Sequence, residues 1–115
     1  MKKEYTLKKK RNFDFIITNE KPIKYKEFVV FYKKTEDMTY HFGISVGKKI
    51  GNAVVRNKIK RQIRQIIDKN NYKINFNCII IVGRGVLNCT YQKMEEDLIV
   101  ALKRLNIIEE NNENE

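Results

Sequence analysis

One stretch of this 115-residue chain, Asn77 to Gly83 (NCIIIVG), carries no charge, although a third of all residues (33%) are charged. It has the length of a strand, and its consecutive isoleucines put apolar side chains on both faces of a pleated ribbon. Such a strand belongs in the middle of a sheet, with material packed above and below it. The rest of the chain has to supply that cover, and its patterning shows how.

Glu27 to Lys34 (EFVVFYKK) is rich in aromatic and β-branched residues and reads as a strand. Its two parities differ, so Val29 and Phe31 face opposite to Phe28, Val30 and Tyr32. After a polar connection (KTEDMT), Tyr40 to Val46 (YHFGISV) reads as a second strand. From about Ala53 to Lys69, Val55, Ile59, Ile63, Ile66 and Ile67 recur at helical spacing, and Asn70-Asn71-Tyr72 ends the pattern. Thr90 is placed to cap a last helix with the stripe Met94, Leu98, Ala101, Leu102 and Leu105. Near the start, Asn12 is read as the cap of a short helix to about Thr18, and Pro22 breaks the chain beyond it. The order is helix, two or three strands, helix, strand, helix. This predicts an α+β fold in which three helices pack on a small mixed sheet. Without repeats or a linker, residues 1–108 form a single domain. Residues 1–7 are expected as a flexible basic arm, and 109–115 as a disordered acidic tail.

Charge narrows the function. All 24 bases lie in residues 1–108, and four of the 14 acids lie in 109–115, which leaves ten acids and a net +14 on the body. Such a bias points to a polyanion, either nucleic acid or an anionic membrane surface. It is also concentrated. From Lys48 to Arg64 there are seven bases (48, 49, 56, 58, 60, 61, 64) and no acid. On the middle helix Lys60, Arg64, Asn57 and Arg61 fall on one arc, with Arg56 at its edge. A soluble helix normally pairs opposite signs four residues apart, whereas Arg56–Lys60 and Lys60–Arg64 repel. The counter-charge is therefore expected from outside, and three guanidinium forks suit phosphate oxygens.

A DNA-reading helix-turn-helix would need a second helix just ahead, and a strand and a glycine turn stand there instead. RNA fits better, because single strands are recognised by backbone contacts and stacking faces. Phe13, Phe15, Phe28, Phe31, Tyr32, Tyr40 and Phe42 are the faces on offer, each also a candidate for the core.

Chemistry within the protein is not expected. The acids of the body are scattered, and Glu95, Glu96 and Asp97 are sequence neighbours that a helix turns apart. His41 is the sole histidine, Cys78 and Cys89 form no zinc spacing, and no phosphate-loop glycine pattern occurs. No catalytic and no metal-ligating residue is assigned. No apolar run reaches the roughly 20 residues of a membrane span, and the start lacks a secretory pattern. A cytoplasmic protein with free thiols and no membrane partner is the expectation.

The segment Gly43 to Ile67 (GISVGKKIGNAVVRNKIKRQIRQII) resembles the signature of the bacterial ribonuclease P protein subunit. An arginine–asparagine pair opens a basic helix, followed by Lys-Arg and a further arginine, here Arg56, Asn57, Lys60, Arg61 and Arg64. Outside it, LKKKRNF, EFVVFYKK, CIIIVGRG and TYQKMEEDLIVALKRL extend the resemblance over about residues 7–105. Three positions depart from the family pattern. Ile17 stands where an aromatic is frequent, Gly47 where a serine is frequent, and Gly85 where a proline is usual.

The resemblance implies a fold like the second domain of small-subunit ribosomal protein five, with an unusual left-handed β-α-β crossover through the basic helix. General rules favour the opposite hand. It implies a protein that binds a catalytic RNA and the 5′ leader of precursor tRNA and assists removal of that leader. Catalysis then belongs to the RNA and Mg2+, and no small molecule is a substrate. RNA-binding positions would be Lys48, Lys49, Asn52, Arg56, Asn57, Lys60, Arg61 and Arg64. The leader cleft would hold Phe13, Ile17 and Phe31. A plain RNA-binding structural protein, such as a ribosomal component of the same fold, is the alternative.

Overall fold

The computed structural model describes residues 1–7 and 9–109. Four strands form one sheet in the order β1-β2-β4-β3: β1 (Ile23–Tyr25), β2 (Phe28–Lys34), β3 (Tyr40–Val46) and β4 (Phe76–Val82). The uncharged run is β4, and it lies between β2 (antiparallel) and β3 (parallel), as its two-sided apolarity requires. Its alternate residues serve different layers. Phe76, Cys78, Ile80 and Val82 join the main core, while Ile79 belongs to a second cluster on the other face, with Ile81 packed against it.

Helices α2 (Ala53–Asp68) and α3 (Tyr91–Arg104) cover the first face through Ile59, Ile63, Ile66, Leu98 and Leu102. Both helices begin with a polar cap, expected at Thr90 and not foreseen at Asn52. Asn52 Oδ1 accepts from the Val55 amide at 3.0 Å, and Thr90 Oγ1 from the Lys93 amide at 3.1 Å. The parallel neighbours β3 and β4 are joined through α2. On the other face the ten-residue α1 (Lys10–Asn19) packs over β2 and β4, with Leu7 beside it. That face is half covered.

Two expectations are corrected, and the choice between two and three strands ahead of α2 falls to three. Asn12 is not a cap, because α1 starts at Lys10 and its cap position, Lys9, makes no side-chain bond. The segment after Pro22 forms β1, paired to β2 through a two-residue turn in which Lys26 has φ 53°. Residues 1–7, read as a flexible arm, lie along β3. Lys3–Tyr5 make a 3-10 turn, the Leu7 amide donates to Phe42 O at 2.8 Å, and the Tyr5 ring stacks on Tyr40 at 4.4 Å. Of the acidic tail, residues 110–115 lie outside the described residues.

Candidate nucleic-acid interface

The basic strip begins in the turn between β3 and α2. The Ile50 amide bonds Gly47 O at 3.0 Å, and buried Ile50 anchors the turn in the core, so Lys48 and Lys49 are held outward. A side chain at Gly47 would meet nothing within 4 Å, so the turn does not demand glycine there.

On α2, the isoleucine seam faces inward while Asn57, Lys58, Arg61 and Arg64 are exposed and Arg56 and Lys60 half-buried. Arg56 is the most fixed of them, its Nε donating to Gly51 O at 3.1 Å. None of the seven cations from Lys48 to Arg64 forms an ion pair among the described residues. The pairs that do form are Lys33–Glu20, Lys69–Glu95, Lys93–Asp97 and, at the far end of α2, the Met1 ammonium with Asp68. Among the described residues the guanidinium groups are thus not spent on carboxylates, and the two like-charged pairs four apart cost the free helix about 0.5–1 kcal/mol together. Bases at the positive end of the helix dipole, with no acid in the first turn, add to that cost.

The half-covered face of the sheet adjoins this strip. Phe31 on β2 and Ile79 on β4 form its floor, Ile16 of α1 presses on them, and Phe13 and Ile17 flank the contact. Phe31 is only 6% exposed, so it lies beneath α1 and is not a free stacking face. Phe13 rests on Gly43, where an added Cβ would come within 2.5 Å of its ring. Beyond Gly43, Ser45 and Ile81 pair across β3 and β4, and the face opens into a groove of about 460 Å³ rimmed by Lys48, Lys49 and Arg84. At the opposite end His41 Nδ1 meets Asn77 Oδ1 at 2.9 Å, beside a hollow that Lys3, Lys9 and Asn12 help to line. Cations therefore stand at both ends of one row of sheet positions.

The structure thus brings Lys48, Lys49, Arg56, Asn57, Lys60, Arg61 and Arg64 onto one surface, and Phe13, Ile17 and Phe31 into one cluster. Asn52 differs, its side-chain oxygen being engaged as the helix cap. Arg84 was not singled out from the sequence because it stands alone there; the end of β4 carries it to the two lysines. Of the aromatic candidates, Phe28, Tyr40 and Phe42 are used internally. Tyr40, Phe42, Tyr72 and Phe76 form one cluster, in which burial pushes the Tyr72 phenol well above its ordinary range. Phe15 stays exposed.

A family model described as Ribonuclease P matches residues 1–106. This chain belongs to the ribonuclease P family. It is 44% identical over 108 residues to the ribonuclease P protein component of Mycoplasma capricolum, covering 91% of this chain and 99% of that one. With the component from Streptococcus agalactiae the identity is 38% over 109 residues, covering 94% and 100%. The RNase P protein of Staphylococcus aureus superposes with a TM-score of 0.82 at 31% identity, covering 91% of this chain and 98% of that one. As the protein component of ribonuclease P, the chain works in tRNA processing in partnership with the ribonuclease P RNA. Among the described residues no helix is long and apolar enough to cross a membrane.

Proposed function

We propose that the strip formed by Lys48, Lys49, Arg56, Asn57, Lys60, Arg61 and Arg64 lies against phosphates of the ribonuclease P RNA. Asn52 joins it only through the amide nitrogen that capping leaves over. The observation that carries this reading is that none of its six cations, nor Lys58 beside them, has an acid paired to it among the described residues. A helix that repels itself in isolation is relieved when phosphates supply the missing charge.

The half-covered sheet face then receives the single-stranded 5′ leader of precursor tRNA. Phe13 and Ile17 give apolar contact at its centre, Phe31 floors the site, and the cations at either end hold the backbone. With isoleucine at position 17, a leader base there finds apolar contact and no stacking ring.

Cleavage itself is assigned to the RNA, on which the Mg2+ that activates water and stabilises developing charge is mainly held. Among the described residues no three His, Cys, Asp or Glu side chains converge. The place of work is the cytoplasm.

Reconstitution tests the whole reading. The purified chain alone leaves precursor tRNA uncut, and added to a bacterial ribonuclease P RNA it lowers the Mg2+ needed for cleavage. Absence of any stimulation overturns the assignment. Arg64→Ala weakens RNA binding and reduces the slope of log affinity against log salt by about 0.9, as for one lost phosphate contact. An unchanged slope means that Arg64 faces only water. For the leader, Ile17→Ala is a cleaner probe than Phe31→Ala, since Phe31 is buried and its loss would unsettle the sheet. Ile17→Ala weakens binding of leader-bearing substrate more than of mature tRNA, and equal losses remove Ile17 from the leader site.

A further inference from the structure

The exposed back of α2 does not end at its cations. At about 100° per residue, Arg61 and Val54 lie two turns apart on almost the same azimuth, and Lys58 and Gln62 continue round toward α3. There the surface drops into a groove of about 260 Å³ between the start of α2, the 3-10 turn Arg84–Asn88 and the first turn of α3. Its lining includes Val54, Lys58, Gln62, Leu87, Cys89 and Met94. Two of these are large apolar side chains left in water, Val54 at 77% and Leu87 at 52% exposure.

We propose that this groove holds one unstacked nucleobase of the ribonuclease P RNA, with Lys58 on the adjoining phosphate. The inference rests on the reading of α2 as the RNA-facing helix and extends it to a site of different chemistry. Size argues for a base. The volume falls below the roughly 300–1,000 Å³ of pockets that enclose a drug-sized ligand, so a single ring system fits and a helix does not. Composition argues the same way. Apolar side chains suit the face of a base, while the Gln62 amide offers both a donor and an acceptor to its edge. Continuity with the cationic strip supplies the phosphate contact, since Lys58 has no acidic partner among the described residues. The occupant thus arrives on the same polyanion that the strip already binds.

The two exposed side chains can be changed without opening the core. Val54→Ser with Leu87→Ser is measured in the full-length chain against intact ribonuclease P RNA, over a range of salt. The expected result is an affinity about fivefold to a hundredfold weaker, as for loss of one base contact, at an unchanged salt slope. Cys89 gives a second readout. It lines the groove and is partly exposed, its Sγ donating to Gly85 O at 3.6 Å, whereas Cys78 is wholly buried and burial holds its thiol up in the unreactive neutral form. RNA should slow alkylation of Cys89 by iodoacetamide. Unchanged affinity in the double variant, or equal alkylation with and without RNA, overturns the groove assignment. Protection of Cys89 by raising the protein concentration alone assigns the groove to a second copy of the chain and likewise overturns it. Arg61→Ala separates the two readings. If it flattens the salt slope while the groove variant is silent, only the groove fails; if it is silent too, the strip itself fails.

Discussion

Helices α2 and α3 lie on the same face of one sheet, each anchored by a buried apolar stripe and each begun by a capping oxygen. Their charges follow opposite logic. On α3, Lys103 and Arg104 stand in the last turn, where the helix dipole favours cations, and Lys93 reaches Asp97 at 3.2 Å one turn on. Arg104 also lies over the Tyr25 ring at 4.6 Å. On α2 the cations crowd the first turns, no acid occurs before Asp68, and Asp68 sits at the end where a base would be favoured. Helix α3 meets its own cations with a carboxylate, a ring and the dipole, whereas α2 leaves its cations unpaired among the described residues. Their buried sides differ in charge, since α3 takes the Asp97 carboxylate into the core beside Lys93 while α2 buries only isoleucines.

That contrast can be broken at three levels. The seams should behave alike: Ile63→Ala and Leu98→Ala, both wholly buried, should each cost about 2–5 kcal/mol in urea unfolding. A much smaller loss for Ile63 would mean that α2 is not anchored as firmly as α3. The outer faces should behave oppositely. Lys60→Glu turns two repulsive pairs on α2 into attractive ones and should stabilise the free protein by about 1 kcal/mol, while lowering RNA affinity more than tenfold in filter binding. A variant both less stable and still RNA-competent would dissolve the comparison. Smallest is Arg104→Ala on α3, expected to cost about 0.5–1 kcal/mol through its ring contact, with RNA affinity unchanged.

The same contrast explains what was legible in the sequence. Periodicity reports burial, so β4 and the stripes of α2 and α3 could be placed from spacing alone, and the parity of β2 assigned Phe31 to the second face. What parity cannot say is whether that face is covered, and α1 lies over Phe31. The start of α1 was misread because the helix begins without a cap bond, leaving Asn12 as a false signal inside the first turn. Strand β1 was not resolved because it has three residues and turns through Lys26-Glu27, with no glycine to announce a left-handed position. At the site, like charges at helical spacing exposed the strip. Asn52 was harder, since capping and RNA contact call for the same residue type. Arg84 needed the sheet to bring it beside Lys48 and Lys49.

Residues 1–7 have one more effect. The Thr6–Phe42 bridge and the Tyr5–Tyr40 stack occupy the outer margin of β3, while the opposite margin is three residues long and bears Lys24. Among the described residues each margin of the sheet is thus short or partly covered, which works against strand-by-strand aggregation. Two copies that meet edge to edge find few open main-chain groups to share.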